Sequence, residues 1–332
     1  MQAHPKQGQT TFFRAVLFFI TLSFGALAFA QPYPNKPIRL VVGFAAGGPT
    51  DVIARIIAQD MSATLGQTVL VENKTGANAM IATQEVKRAA PDGYTLLMTT
   101  LSHNVNAILL AEQKPYDPIQ DFTPVTLVCF LPLVVVTKAD APFNSVQDIV
   151  RAAKEKPGEI SYASAGNGGS AHLAAALVEA LSGTKMTHVP FRGNAPALTE
   201  VMAGRVSFMF YPMVGIAEHV AQKRLKVLAS STEKRHPDYP NAPTMAESGF
   251  PGFEQYTQGL GVVAPAGTPA PIVRRLNEAI RASLAKADTR EKFKTLGAIT
   301  EGGSTPEEFR TWLVGDRERW ERVIKAAGVK AE

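Results

Sequence analysis

Two glycine-rich turns carry the residues whose types and spacing could do chemistry in this sequence. Gly43-Phe44-Ala45-Ala46-Gly47-Gly48-Pro49-Thr50-Asp51 and Ser164-Ala165-Gly166-Asn167-Gly168-Gly169-Ser170 each stand where a β-type run gives way to a helical one. Glycine lets the backbone approach a ligand closely and take positive φ, while Thr50, Asp51 and Ser170 are suited to cap the helix that follows. The free N–H groups and positive dipole end of each helix then favour a carboxylate or a phosphate. Any strand-to-helix turn uses glycine and a cap, whatever it binds. Recurrence of the pattern at the matching point of two similar segments is what points to a ligand.

Catalysis finds little support. Ser170 and His172 lie in Gly-Gly-Ser-Ala-His, which lacks the Gly-x-Ser-x-Gly elbow of a hydrolase. Asp51, at a helix start, is better placed to cap amides than to act as a general base. The six histidines (His4, His103, His172, His188, His219 and His236) show no His-x-x-x-His spacing and no neighbouring cysteine or acid pair, so no metal site is read. Neither turn has Gly-x-Gly-x-x-Gly spacing or a following Gly-Lys-Ser/Thr, and no cofactor is expected.

The elements that must position these turns alternate between short β-branched runs and longer helical stretches. A strand over 38–44 precedes a helix over 50–65 with Ile53, Ile56, Ile57 and Met61 on one face, followed by strands at 68–72 and 94–99 around a helix at 79–89. Strand, helix, strand at this spacing implies parallel pairing and an α/β layered domain. The β-type run 122–138 is broken by Pro132, which cannot donate to a central ladder, so it reads as two segments or an edge strand crossing between domains. A second alternation fills 146–230, and 258–264 reads as a strand returning to the first domain. The helices after it are expected to pack back on that domain. Two lobes result, 31–131 with 258–332 and 132–257, and two crossings between them form a hinge.

Residues 1–30 read as a secretory leader: Lys6 and Arg14 precede an uncharged apolar run that ends in Ala28-Phe29-Ala30, with cleavage expected after Ala30. The run is shorter than the ~20 residues of a bilayer span. The formal net charge is +5, and losing Lys6 and Arg14 with the leader lowers it by two. The basic residues are scattered and not interleaved with aromatics, which argues against nucleic acid as a partner. Cys129 is the single cysteine, which excludes an intrachain disulfide and a thiolate metal cluster.

Specific runs of residues resemble the Bug family, the TctC-type substrate-binding proteins of tripartite tricarboxylate transporters. These are Tyr33-Pro34-Asn35-Lys36-Pro37-Ile38-Arg39-Leu40-Val41-Val42, the Gly47-Gly48-Pro49-Thr50-Asp51 turn with Ala54-Arg55, Pro91-Asp92-Gly93-Tyr94-Thr95-Leu96, Asp121-Phe122-Thr123-Pro124-Val125, His188-Val189-Pro190-Phe191-Arg192-Gly193 and Ala264-Pro265-Ala266-Gly267-Thr268-Pro269. The resemblance spans nearly the whole chain after the leader. It implies a periplasmic, two-lobed Venus-flytrap fold of type II that closes on a small carboxylate held by backbone amides and bridging waters. Carried over by motif, the contacts fall on Phe44, Ala45, Ala46 and Gly48 in one lobe. In the other they fall on Ser164, Gly166, Asn167, Gly168 and Ser170, with Arg192 and Gly193 nearby, and Thr50 and Asp51 complete the first turn.

Two departures bear on the ligand. The family's first turn usually reads Pro-Phe-Pro-Pro-Gly-Gly, whereas Gly43, Ala45 and Ala46 stand here, which loosens the loop by about 0.4 to 1 kcal/mol per proline where φ is compatible. Many relatives place an aspartate after the strand ending at Phe210, able to pair with a ligand ammonium; Tyr211 stands here and cannot. The expected ligand is therefore a carboxylate without an amine, aromatic or di- or tricarboxylic. The expected protein is a monomer that delivers it to membrane permease subunits or a sensor kinase. The alternative is an exported hydrolase-like enzyme using Ser170, His172 or Asp51.

Overall fold

A computed structural model describes residues 33–330, so the leader and its cleavage point lie outside the described residues. All the elements belong to one unit, Lys36–Glu332. The first is β1 (Ile38–Val42), a buried aliphatic strand feeding helix α1 (Pro49–Leu65). Proline at the first helical position and Gly66 in the left-handed region at the end fix the limits of α1, and Ile53, Ile57 and Met61 bury its inner face. Then come β2 (Val69–Asn73), α2 (Met80–Lys87), β3 (Thr95–Thr99), α3 (Ser102–Leu109) and β4 (Phe122–Leu131).

Pro132 ends β4 and the chain continues at once as β5 (Leu133–Lys138). The second segment runs through α4 (Val146–Glu155), β6 (Ser161–Ser164), α5 (Ser170–Ser182), β7 (Thr187–Pro190), α6 (Asn194–Met202), β8 (Phe208–Pro212), α7 (Ala217–Ala221) and β9 (Leu225–Ser230). The return strand β10 (Gln258–Pro265) leads to α8 (Ala270–Ala285), α9 (Ala287–Thr295) and α10 (Pro306–Ala327).

Two five-stranded sheets result, ordered β2-β1-β3-β10-β4 and β7-β6-β8-β5-β9. β1 pairs parallel with β2 and β3, and β6 parallel with β7 and β8, as βαβ spacing requires. The strands that cross between the sheets run the other way. β10 runs antiparallel to β3 and β4, and β5 antiparallel to β8 and β9, because a strand entering from the other sheet arrives from the opposite end. As Pro132 predicted, 122–138 is two segments; β4 is the edge of its sheet, whereas β5 is interior to the next.

One core gathers Val41, Leu97, Phe122, Val263, Phe309 and Leu313, and the other includes Val134, Val135, Phe208, Phe210 and Tyr211. Helix α10 opens with a capping box, Thr305 and Glu308 each accepting the other's backbone N–H. It does not stop at the first sheet. Phe309 and Leu313 pack in the first core, while Trp320, Val323 and Ile324 pack in the second. Between them the buried Asp316 accepts from Asn104 of α3 at 2.8 Å and from the Trp320 indole at 3.1 Å. Among the described residues no helix is long and apolar enough to cross a membrane.

Candidate functional site

The first turn is tied down from within. Asp51, buried at the start of α1, accepts the Gly47 N–H at 2.9 Å and Arg55 Nε at 2.8 Å through one oxygen, and Asn73 Nδ2 at 2.9 Å through the other. Asn73 also donates to the Phe44 carbonyl at 2.9 Å. Burial alone would raise the Asp51 carboxyl, but these donors outweigh it and hold it below the usual carboxylate range. This bracing supplies the rigidity that Gly43, Ala45 and Ala46 give up in place of proline.

The second turn uses the same device with a different side chain. The Gly168 N–H donates to His172 Nδ1 at 2.9 Å, one helical turn on, as Gly47 does to Asp51. Below it the His172 and His188 rings stack at 4.0 Å between centroids, 2° from parallel, and His188 Nε2 meets Ser164 Oγ at 2.6 Å. The expected caps need correction. The helices are capped by Gly48 and Gly169, with no side-chain hydrogen bond, and Thr50, Asp51 and Ser170 fall inside the first turn of their helices. Proline at position 49 starts α1 two residues earlier than a Thr50 cap allows and three earlier than an Asp51 cap.

A third segment, not singled out by the sequence, completes the site. Ala77, Asn78 and Ala79 all have positive φ, 45°, 50° and 69°, a conformation costing L-residues roughly 1–2 kcal/mol each. Helix α3 holds them there. Asn106 donates to the Asn78 carbonyl at 2.8 Å and accepts from its Nδ2 at 3.0 Å, while Ser102 donates to Asn78 Oδ1 at 2.8 Å. Ser102 and Asn106 are one helical turn apart, and that spacing was the available signal. Strain held by a buried polar network beside a cavity is characteristic of a binding site.

The turns meet across the two sheets. A methyl on Gly193, whose φ is 145°, would lie 3.0 Å from the Ala45 nitrogen, and one on Gly48 would lie 3.9 Å from the Ala195 nitrogen. Gly166 and Gly168 face Asn78, and Gly168 also abuts Val105 and Leu109 of α3. Phe44, Ala79 and Ala165 form a small buried cluster at the junction. Between the turns lies a cavity of about 280 Å³. Its walls are Gly43, Phe44 and residues 76–79 on one side, Ala165, Gly166, Asn167, Phe191 and Arg192 on the other, with Asn106 and Leu109 of α3 and the adjoining Leu110.

Of the residues anticipated for ligand contact, Phe44, Gly166, Asn167 and Arg192 line this cavity, while Ala45, Ala46, Gly48, Thr50, Asp51, Ser164, Gly168, Ser170 and Gly193 are not among the lining residues. Tyr211 is buried in the second core, opposite Val134 on β5, and is not among the lining residues. The Gly48, Gly166 and Gly168 amides are engaged within their own turns, on Ala45 O, Ser164 Oγ and His172 Nδ1. Arg192 is the single charged residue of the wall. It is exposed and has no ion pair or hydrogen bond among the described residues.

The buried imidazoles make stability depend on pH. Burial pushes His172 down to about 3, with the adjacent His188 adding to it, and pushes His188 and His103 down to about 4. All three are neutral in the folded chain, whereas in the unfolded chain they take up protons below about pH 6.5. The unfolded state therefore binds more protons between about pH 6.5 and 4, and stability falls as pH drops through that window. Glu179 and Asp316, raised by burial, act in the opposite sense at its acid end. Urea midpoints measured from pH 7 downward should decline, less steeply in His172→Gln; a flat wild-type profile contradicts this.

Comparison with known proteins agrees with this geometry. The chain matches the family model described as tripartite tricarboxylate transporter family receptor, TctC, over residues 53–329. Protein BugT of Bordetella pertussis is 34% identical over 315 residues, which cover 95% of this chain and 96% of BugT. The structure of MatC from Rhodopseudomonas palustris with bound malate aligns at a TM-score of 0.83 and 33% identity, covering 88% of this chain and 100% of MatC. That of a second R. palustris protein, with adipate, aligns at 0.85 and 32%, covering 90% and 99%.

Two mixed sheets around a shared cavity, in the fold of solved periplasmic binding proteins, define a solute-binding protein and not an enzyme. The chain belongs to the TctC, or Bug, family. Two residues of the hydrolase alternative are engaged elsewhere: Asp51 accepts from Gly47, Arg55 and Asn73, and His172 Nδ1 accepts from Gly168.

Proposed function

We infer that this protein captures a small carboxylate without an amine in the periplasm and passes it, as a monomer, to the membrane permease subunits of a tripartite tricarboxylate transporter or to a sensor kinase. Export depends on the leader, cleaved after Ala30. The lobes, 31–131 with 258–332 and 132–257, close about Pro132 and the 257–258 junction, with helix α10, which packs in both cores, as a third tie between them.

The observation that carries the ligand class is the charge of the cavity wall: one unpaired cation, Arg192, and no acidic side chain among the lining residues. A carboxylate finds a bidentate partner there. Amides of Ala45, Ala46, Thr50, Asp51, Asn167 and Ser170, which donate to no acceptor among the described residues, are the further donors of the two turns. An ammonium finds no counter-charge, and burying it unpaired is costly. In the sequence Tyr211 stood against an amine; the acid-free wall now supports the same exclusion. The malate and adipate in the R. palustris relatives are both carboxylates of this kind.

Calorimetry on ligand-stripped protein tests the point. Adipate is expected to bind more tightly than 2-aminoadipate by roughly tenfold or more, the worth of one uncompensated charge in a partly open site. Tighter binding of the amino acid overturns the assignment.

A further inference from the structure

Residues 76–79 all line the cavity, and their N–H groups donate to no acceptor among the described residues. Where those donors point follows from the left-handed backbone of Ala77, Asn78 and Ala79, a conformation costly for alanine. The side chains that hold it, Ser102 and Asn106, come from one face of α3.

The other face of α3 is tied down as well. Asn104, two residues from each of them and so turned the opposite way, donates to the Leu313 carbonyl at 3.1 Å and to Asp316 at 2.8 Å, both on α10. Asp316 is fixed in turn by the Trp320 indole at 3.1 Å and by the Arg319 guanidinium. Asn104 is 1% exposed and is not among the residues lining the cavity. Around it Leu101 and Val105 pack in the second core and Ala107 in the first, so α3 is buried from Ser102 to Ala107. Two helical turns enclosed in this way move as one body, and a shift at Asn104 reaches Ser102 and Asn106.

We propose, on the carboxylate reading of this cavity, that Asn104 is a positioning residue for ligand capture. Through it α10 sets the place of α3, and α3 sets the left-handed wall through Ser102 and Asn106.

Two measurements separate this role from mere support of the fold. Calorimetry of the stripped protein with malate and with adipate is the first. Asn104→Ala is expected to weaken the tighter of the two by roughly threefold or more, and Asn106→Ala by roughly tenfold or more. In the Ala77→Gly/Ala79→Gly background, where glycine takes positive φ unaided, both losses are expected to shrink. An undiminished loss there, or no loss from Asn104→Ala in the wild-type background, overturns the proposal. The second measurement uses no ligand. In protein carrying isotope-labelled alanine, the Ala77 and Ala79 amide resonances are expected to shift or broaden in Asn104→Ala, and unchanged resonances overturn the proposal. If neither acid binds the wild type, the carboxylate reading fails and the resonances alone decide whether Asn104 sets the wall. Should Asn104→Ala not fold, Asn104→Ser takes its place in both measurements.

Discussion

Replacing Arg192 with glutamine is expected to weaken carboxylate binding by roughly 10- to 150-fold, the worth of about 1.5–3 kcal/mol for a charge-assisted hydrogen bond, while the unfolding midpoint of the unliganded protein stays unchanged. The two halves of this expectation have separate grounds. Arg192 is exposed and makes no ion pair or hydrogen bond among the described residues, so the fold does not lean on it. It is also the lone charge on the cavity wall, so no other charge there can take its place. Arg192→Lys keeps the charge but not the planar fork and should fall between the two. Calorimetry at two salt concentrations adds a check, because the wild-type affinity should fall with salt more steeply than that of the glutamine variant. Unchanged affinity in Arg192→Gln would remove the electrostatic basis of the proposed ligand class.

The parts of this architecture legible in the sequence are those with a local signature. Alternating aliphatic strands and periodic helices gave the α/β class, Pro132 gave the break between β4 and β5, and the two glycine turns gave two of the segments that line the cavity. The parts that escaped depend on partners far along the chain. Ala77 and Ala79 take positive φ although alanine carries no sign of it, because Asn106 and Ser102, more than twenty residues on, hold Asn78 between them. Helix α3 was missed for a related reason. Ser102, His103, Asn104 and Asn106 are buried polar residues, so the stretch lacks the apolar stripe by which a helix is recognised. The reversed direction of β5 and β10 is likewise invisible locally, being set by which sheet the chain has just left. Tyr211 shows the limit of carrying a position over by motif: expected just after the strand ending at Phe210, it lies within β8 and its side chain packs in the core.

The largest effect on stability is expected at Gly261, in the middle of β10, where alanine should cost about 3 kcal/mol or more, the upper end of overpacking penalties. The added methyl would stand 2.1 Å from Phe309 Cζ and 2.8 Å from both Cε atoms, well inside contact distance. Neither partner can yield easily. β10 is hydrogen-bonded on both sides, to β3 and β4, and the Gly261 carbonyl also accepts from Thr99 Oγ1 at 3.1 Å. Phe309 is fully buried among Val41, Leu97, Phe122 and Leu313, so its ring has no free volume to enter. Gly259→Ala supplies the contrast. Its methyl would meet the Trp312 ring at 2.4 Å, but Trp312 is partly exposed at the surface and can swing outward, so the loss should be smaller. A third variant isolates the cause: trimming the ring in Gly261→Ala/Phe309→Leu should recover part of the stability that Gly261→Ala loses, although Phe309→Leu alone is destabilising. Urea denaturation of the wild type, the two single variants and the double variant gives the coupling energy directly. A simple sum of the two single losses would show that the ring over β10 is not what requires glycine there.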